Sequence, residues 1–450
     1  MMNATFREWE FEIMEEYLYR QENSPFECFY REHLTHCLFQ RSLYPHANFI
    51  IVYLENFKDN KDGSFQLLMD FFTFSDYIRF REVFGREGRE EQDGENGIPR
   101  STFFKIHNYR SEEKPIKGAH YYLDFRVLKN FAANVEKGET EGFPLLYNII
   151  LHSNEEIQDN RNTTLLYLTQ PLTYPQWLFS SLHHSNNPAG IANGKAVKLE
   201  VWDVGQGNFN EVKVVSEPYV IFDAGTEVLD ATVSFLSFPN KLENELNQAE
   251  LPMFVLSHWH TDHYSLLFSL SNSKLRRIQY CVFPSFVKNL SIFLFVARLN
   301  LMGIVVNMVT LPSTSAWVKR SINPNLSLYA NRYVTSSVNN SGLTLFVLGP
   351  TNNAMLPGDC RYRLAESQAN DSITAPMGNG QKHYLVVPHH CGKAGSVSYR
   401  IANTNDIEGI VSVGRNTHGH PNGTVKAQIE RIIGKTLEMT KDRGNIEKEM

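Results

Sequence analysis

The chain has 450 residues, too many for one ordinary domain, with 42% hydrophobic and 20% charged positions, a balance normal for a globular protein that buries sizeable cores. Its formal net charge of −6 argues against a general electrostatic grip on nucleic acid, though not against a local basic groove. Cys28, Cys37, Cys281, Cys360 and Cys391 include no C-x-x-C pair, which argues against a disulfide scaffold and for a reducing, cytoplasmic setting.

From the N-terminus, Met1 to Arg20 carries acidic residues where a signal peptide would place a basic segment and then an apolar run. Apolar spacing predicts a helix over Phe6 to Arg20. Asn48 to Leu54 reads as a strand, Ser64 to Phe84 as an aromatic-rich amphipathic segment that is helical in part, and Arg86 to Asn96 as a charged loop. His120 to Phe125 and Leu145 to Leu151 read as strands. Residues 1–185 therefore form an expected α+β domain without repeat or catalytic signature. Its Phe and Tyr side chains read as core, and a protein partner could dock on it. His33, His36, His107, His183 and His184 read as surface or packing residues.

Ser185 to Lys195, rich in Asn, Gly and Pro, marks a boundary. It sets residues 186–197 as a linker and 198–450 as a second domain. There, short apolar runs alternate with helical stretches, as in an α/β protein. Strands are expected at Lys198 to Val204, Glu211 to Ser216, Tyr219 to Phe222, Met253 to Leu256, Leu343 to Leu348, Tyr384 to Val387 and Gly409 to Val413. The apolar stretch Ser291 to Leu311 is interrupted by Arg298, Asn300, Gly303 and Asn307. It reads as a buried helix to about Met302, then a core strand from Ile304, and no membrane span is expected.

His258, His260, Asp262 and His263 lie within six positions, directly after the apolar run Phe254 to Leu256. Imidazole nitrogen and carboxylate oxygen are zinc ligands, and a short loop fixed by a strand can aim four of them at two neighbouring metal positions. This H-x-H-x-D-H pattern resembles the signature of the metallo-β-lactamase fold. More closely, residues 198–450 resemble the hydrolase domain of the ComEC/Rec2 competence proteins. The pieces occur in order: Asp203-Val204-Gly205-Gln206-Gly207-Asn208, Ile221-Phe222-Asp223-Ala224-Gly225, Pro357-Gly358-Asp359, Pro388-His389-His390, Ser412-Val413-Gly414-Arg415-Asn416, Gly419-His420-Pro421 and Thr440-Lys441-Asp442-Arg443-Gly444.

The resemblance implies a four-layer αββα sandwich with His258, His260, Asp262 and His263 as metal ligands and Asp359 as a bridging carboxylate. It implies that His389, His390 and His420 complete the second position or contact a scissile phosphate. Asp262, Asp359, His390 and His420 are the expected catalytic groups. Asp203, Asp223 and Asn340 are expected to support the ligands, with Asp223 orienting one of them. Gly205 and Gly207 would let the backbone approach the metal loop closely. No histidine occurs from Tyr264 to Gly358, so that stretch supplies no third imidazole beside His258 and His260. Asn339 and Asn340 are the candidates for the place, and oxygen ligands there suit manganese.

The expected cofactor is zinc, as two ions or one, or manganese. The expected function is metal-dependent hydrolysis of a phosphodiester in DNA or a nucleotide. The alternatives are a hydrolase of thioester, lactone or lactam carbonyls and a partner-activated effector module of a multi-protein, possibly defence, system. Lys393, Arg361, Arg363 and Arg415 are candidate phosphate clamps. Cys360 and Cys391 read as buried structural cysteines.

Overall fold

A computed structural model of the chain describes residues 49–60, 62–84, 101–111, 113–124, 132–140, 143–151, 165–167, 190–191, 194–226, 228, 237–248, 252–334, 337–414 and 419–450. The expected helix over Phe6 to Arg20, the charged loop over Arg86 to Asn96, and Cys28, Cys37, His33, His36, His183, His184, Arg415 and Asn416 lie outside them. The chain divides into two compact units: residues 1–140, 144–178 and 287–303, and residues 141–143, 179–286 and 304–450.

In the first unit, strands β1 (Phe49–Asp59), β2 (Ser64–Phe71), β3 (Phe104–Arg110), β4 (His120–Asp124), β5 (Ala132–Thr140), β6 (Phe143–Leu151) and β7 (Leu165–Tyr167) form one sheet in the order β5-β6-β3-β2-β1-β4-β7. Helix α1 (Phe74–Phe84) follows β2. The aromatic segment Ser64 to Phe84 thus splits into a strand and then a helix. Leu67, Leu68 and Met69 are fully buried in the strand, while Tyr77 and Phe80, three apart, form the buried stripe of the helix. Phe80 and Phe104 pack on Phe71 with ring centroids 5.1 and 4.9 Å away.

Asp70 sits at the centre of a buried polar chain in this unit. Its carboxylate accepts from Phe71 N (2.8 Å) and Ser291 N (3.0 Å) and meets the Thr102 hydroxyl, itself 2.9 Å from Ser291 Oγ. Burial, opposed by these hydrogen bonds, pushes the carboxyl up to about 7. A folded-state pKa above the unfolded value, about 3.9, means the native state binds the extra proton. The stability from this group is complete below about pH 4 and is lost as pH rises through about 7. In D70N the carbonyl can accept from Ser291 N while the NH2 faces Thr102; Phe71 N then loses its acceptor, but the side chain no longer titrates. Hydrogen exchange at the Ser291 amide, corrected for intrinsic rate, is expected to accelerate from pH 5 to 8 in the parent chain and to stay flat in D70N. Equal pH dependence in both would refute the assignment.

The second unit begins with β8 (Val197–Val201), β9 (Phe209–Val214) and β10 (Glu217–Ala224), then α2 (Ser237–Gln248), β11 (Met253–Val255), α3 (Thr261–Ser269) and β12 (Tyr280–Pro284). Helix α4 (Leu290–Leu301), which groups with the first unit, separates β12 from β13 (Val305–Val309). The helix and strand expected in Ser291 to Leu311 are therefore both present, and among the described residues no helix is long and apolar enough to cross a membrane. The chain continues through β14 (Trp317–Asn323), β15 (Leu326–Asn331), β16 (Leu343–Leu348), β17 (Asn353–Leu356), α5 (Tyr362–Ser372), β18 (His383–Val386), β19 (Ile407–Val411), α6 (Gly423–Ile433), β20 (Glu438–Met439) and β21 (Ile446–Glu449).

These strands form two seven-stranded sheets, β13-β12-β11-β10-β9-β8-β21 and β14-β15-β16-β17-β18-β19-β20. Alternate residues such as Leu199 and Val201, Val220 and Phe222, Leu343 and Leu345, and Tyr384 and Val386 meet in one core between the two sheets. On the outer face of the second sheet, Tyr362, Ala365 and Ala369 of α5 and Ile429 and Ile433 of α6 build a separate core. Helices α2 and α3 pack on β10 of the first. The result is the four-layer αββα sandwich. Each sheet has a parallel half, β10-β11-β12-β13 and β17-β18-β19-β20. The C-terminal ends of such strands are where open α/β sheets place their sites.

Candidate metal centre

Strand β11 delivers the histidine loop. Leu256 N donates to Val282 O (3.0 Å), and the chain turns through His258 and His260 into α3, whose first turn carries Asp262 and His263. Trp259 is the anchor of that turn: its indole N–H donates to Pro284 O at 2.9 Å and its ring packs on Phe283 and Tyr264. Asn208 N donates to Asp262 O at 2.9 Å. Gly225 lies so close behind the turn that a Cβ there would fall 2.3 Å from Asp262 C and His263 N.

The opposite sheet supplies the remaining groups. After β17, Gly358 takes φ +58 and sits directly against the Ser257 side chain, which brings Asp359 beneath the histidine loop. After β18, His389, His390 and Cys391 all adopt left-handed backbone (φ 53, 50 and 62). Three successive non-glycine residues in this region are costly unless their surroundings enforce it, and such strain gathers at functional sites.

Asp359 divides its carboxylate between two groups. Its Oδ1 lies 3.3 Å from His263 Nε2 and 3.8 Å from His390 Nε2, and its Oδ2 lies 3.9 Å from His258 Nε2 and 3.6 Å from His389 Nε2. Two sets can each hold a cation: His258, His260 and Asp359, and Asp262, His263 and His390, with the donor atoms of each set within 4.8 Å of one another. The fit is tested by the polar atoms at the centre. His263 Nε2, His390 Nε2 and Asp359 Oδ1 are buried and make no hydrogen bond of acceptable geometry, although they lie within ion-pair distance. Buried polar atoms are almost always satisfied, so lone pairs converging in this way suit a shared cation.

The supporting contacts fix which nitrogen faces inward. Asp223 accepts from Ser257 N (2.6 Å) and Ser257 Oγ (2.8 Å) and lies 2.8 Å from His263 Nδ1, leaving Nε2 toward the centre. The Ser412 carbonyl, 2.8 Å from His390 Nδ1, does the same for His390. Burial disfavours charge on His263, but Asp359, Asp223 and Asp262 outweigh it and hold the imidazolium well above its ordinary range. Burial likewise favours neutral Asp359, yet His263, His389 and His390 hold the carboxyl well below the usual range. Both shifts express one fact: three buried carboxylates demand positive charge here. Asp223→Ala is expected to weaken metal binding about 10–100-fold while leaving every direct ligand in place. Unchanged affinity by calorimetry would remove Asp223 from this role.

Of the expected supporting residues, Asp223 alone reaches the ligands by a direct contact. The Asp203 carboxylate accepts from Gly205 N at 3.3 Å and its backbone N–H donates to Asn445 Oδ1, so it shapes its own loop. Asn340 is corrected to Asn339: Asn340 Nδ2 turns away to Ser337 Oγ, whereas Asn339 Nδ2 donates to Asp359 Oδ2 at 3.2 Å. The two lie in one tight turn, closed by Ser341 N donating to Val338 O, and sequence spacing did not say which one points inward. His420 belongs to neither metal set. Its ring stands beside His389 and His390, with centroids 5.2 and 6.1 Å away. Two residues that sequence reasoning left out are Ser257 and the Ser412 carbonyl, since neither a serine before a histidine nor a backbone oxygen carries a signal in sequence. Cys360 and Cys391 lie in the outer core, where burial pushes both thiols up to about 12, against any role as thiolate ligands.

No family model and no curated protein matches this chain. Among solved structures it is similar to CmlA, a diiron beta-hydroxylase from Streptomyces venezuelae, at 11% identity and a TM-score of 0.32, over 79% of this chain and 74% of that one. A superposition this loose transfers no chemistry.

Proposed function

We propose that this chain is a metal-dependent hydrolase whose substrate is a phosphodiester, in DNA or a nucleotide. The observation that carries the reading is the Asp359 carboxylate shared between two buried His/Asp sets. Divalent cations held there would polarise a phosphoryl oxygen and bring the pKa of a coordinated water toward about 7.

The chain's own residues supply the rest. Asp223, Ser257 and Ser412 keep His263 and His390 in one tautomer and orientation. At the mouth, the His389 side chain is 26% exposed and His420 is half-buried, so these two imidazoles can meet a ligand from solvent. The His420 ring rests on Gly392, and the Arg361 stem lies near Gly395. The intervening loop carries exposed Lys393. Two imidazoles, with Lys393 and Arg361 on the adjoining loop, suit an anionic substrate, whose non-bridging oxygens they would bind and orient. A neutral thioester, lactone or lactam would leave those cations without a partner. Residues 1–185 are proposed as a docking unit for a protein partner.

Purified protein reconstituted with zinc or manganese is expected to hydrolyse bis-p-nitrophenyl phosphate and single-stranded DNA, and to lose that activity on chelation. Preferential turnover of p-nitrophenyl acetate or a lactam would favour the carbonyl reading. No phosphodiester turnover with any divalent metal would count decisively against the proposal.

A further inference from the structure

The left-handed stretch His389, His390 and Cys391 is held by more than its own turn. His389 N donates to Gly358 O at 3.1 Å, Gly392 N to His389 O at 2.6 Å and Asn422 N to Cys391 O at 2.9 Å. The two carbonyls that bracket the stretch both face one phenol: the Tyr362 hydroxyl donates to Pro388 O at 3.3 Å and to Gly392 O at 3.0 Å. Tyr362 is fully buried, opens α5 and packs in the same outer core as Cys391. Burial pushes its phenol up, so it keeps its proton and remains a donor at neutral pH. A phenol has a single proton, shared here as a three-centre bond between the two carbonyls. Tyr362 also stands three positions past Asp359. One short segment therefore carries both the shared carboxylate and the brace on the neighbouring loop.

We propose that Tyr362 is a positioning residue of the metal centre: its hydroxyl clasps Pro388 O and Gly392 O, holds the stretch between them left-handed, and so aims His390 at the Asp262/His263 position. The aim is visible in His390 Nε2, which stands 3.5 Å from Asp262 Oδ2 and 3.8 Å from Asp359 Oδ1. Residues with a Cβ prefer the right-handed region, so a stretch freed at both ends would turn its peptide planes back toward it. That turn would swing the His390 Cα, and the imidazole with it, away from the centre. Ser412 O fixes which nitrogen of His390 faces inward, whereas the phenol fixes where the residue itself stands. Tyr362 bonds to backbone carbonyls, so it acts through the loop and not on a ligand atom.

This inference rests on the metal-centre reading and is independent of the phosphodiester substrate. Y362F keeps the ring in the outer core and removes only the O–H. The probe is cobalt(II), titrated into metal-free protein and read by visible absorption and calorimetry, beside thermal melting of the metal-free protein to confirm that each variant is folded. The parent chain is expected to bind cobalt in two steps. Y362F is expected to weaken one step about tenfold or more, with a changed visible spectrum for that step, and to leave the other step unchanged. H390A is expected to lose the same step. Y362F added to H390A should then change metal affinity no further, because residues that act through one ligand are not additive. A tyrosine with a merely structural role would lower the melting temperature of the metal-free protein and leave both cobalt steps and their spectra as in the parent, which overturns the proposal. Equal weakening of both steps, or weakening of the step that survives in H390A, overturns it as well. Failure of the parent chain to bind cobalt would defeat the metal centre and this proposal with it, whereas failure to turn over a phosphodiester would touch the substrate alone.

Discussion

Asp359→Ala is expected to empty both metal positions at once and to lower phosphodiester turnover by about 10^3-fold or more. The expectation follows from where its two oxygens stand. Oδ1 faces His263 and His390, and Oδ2 faces His258 and His389. Any other ligand belongs to one set, so its loss leaves the other set intact. Loss of Asp359 also strips the largest source of negative charge from His263, which leaves buried imidazoles as poor company for a cation. The fold itself should persist, because Asp359 lies at the end of β17 and outside both hydrophobic cores of the sandwich. A ligand present at 100 times its dissociation constant stabilises a protein by about 2.7 kcal/mol. Zinc should therefore raise the melting temperature of the parent chain and leave that of D359A where it is. A D359A protein that melts higher with zinc and retains two ions would sink the bridging role.

The two halves of the site differed in how much of themselves they disclosed in sequence. His258 to His263 were legible because a short apolar strand runs straight into four ligand-type residues, and no core or surface logic asks for that. Asp359, His389 and His390 lie 96 or more positions beyond His263 in sequence and became legible only as pieces of an ordered resemblance, since a lone aspartate after a glycine is common in turns. The sandwich strands were readable from alternation, as at Leu343 to Leu348. The hairpin β14–β15 was missed because its outer strand shows Lys319, Arg320 and Ser321 to solvent and has no apolar period to read. Segment Ser64 to Phe84 was blurred because its aromatic residues satisfy either period, and the change from strand to helix at Thr73 is set by packing on Phe104. Asn339 and Asn340 were legible only as a pair, for two asparagines in a row have the same chemistry and only the turn decides which of them meets Asp359.

Gly225→Ala is expected to be as damaging to the metal centre as loss of a ligand, although glycine has no side chain to contribute. An added methyl would lie 2.3 Å from Asp262 C and His263 N and 2.6 Å from Asp262 O, closer than real Cβ atoms stand to backbone. Neither side can give easily. Gly225 N donates to Asn208 O, and Asn208 N donates to Asp262 O, so the three strands of chain are laced together behind the ligands. Overpacking of this kind typically costs about 1–3 kcal/mol. The easiest relaxation is for the first turn of α3 to move outward, carrying Asp262 and His263 with it. Ligand geometry in a metal site tolerates only about 0.2 Å of error, so a shift of about half an ångström separates His263 from Asp223 and from its metal position together. G225A should therefore fold, with a lowered melting point, while failing to retain zinc at the Asp262/His263/His390 position. A variant that keeps full zinc content would show that the turn is not held in place from behind.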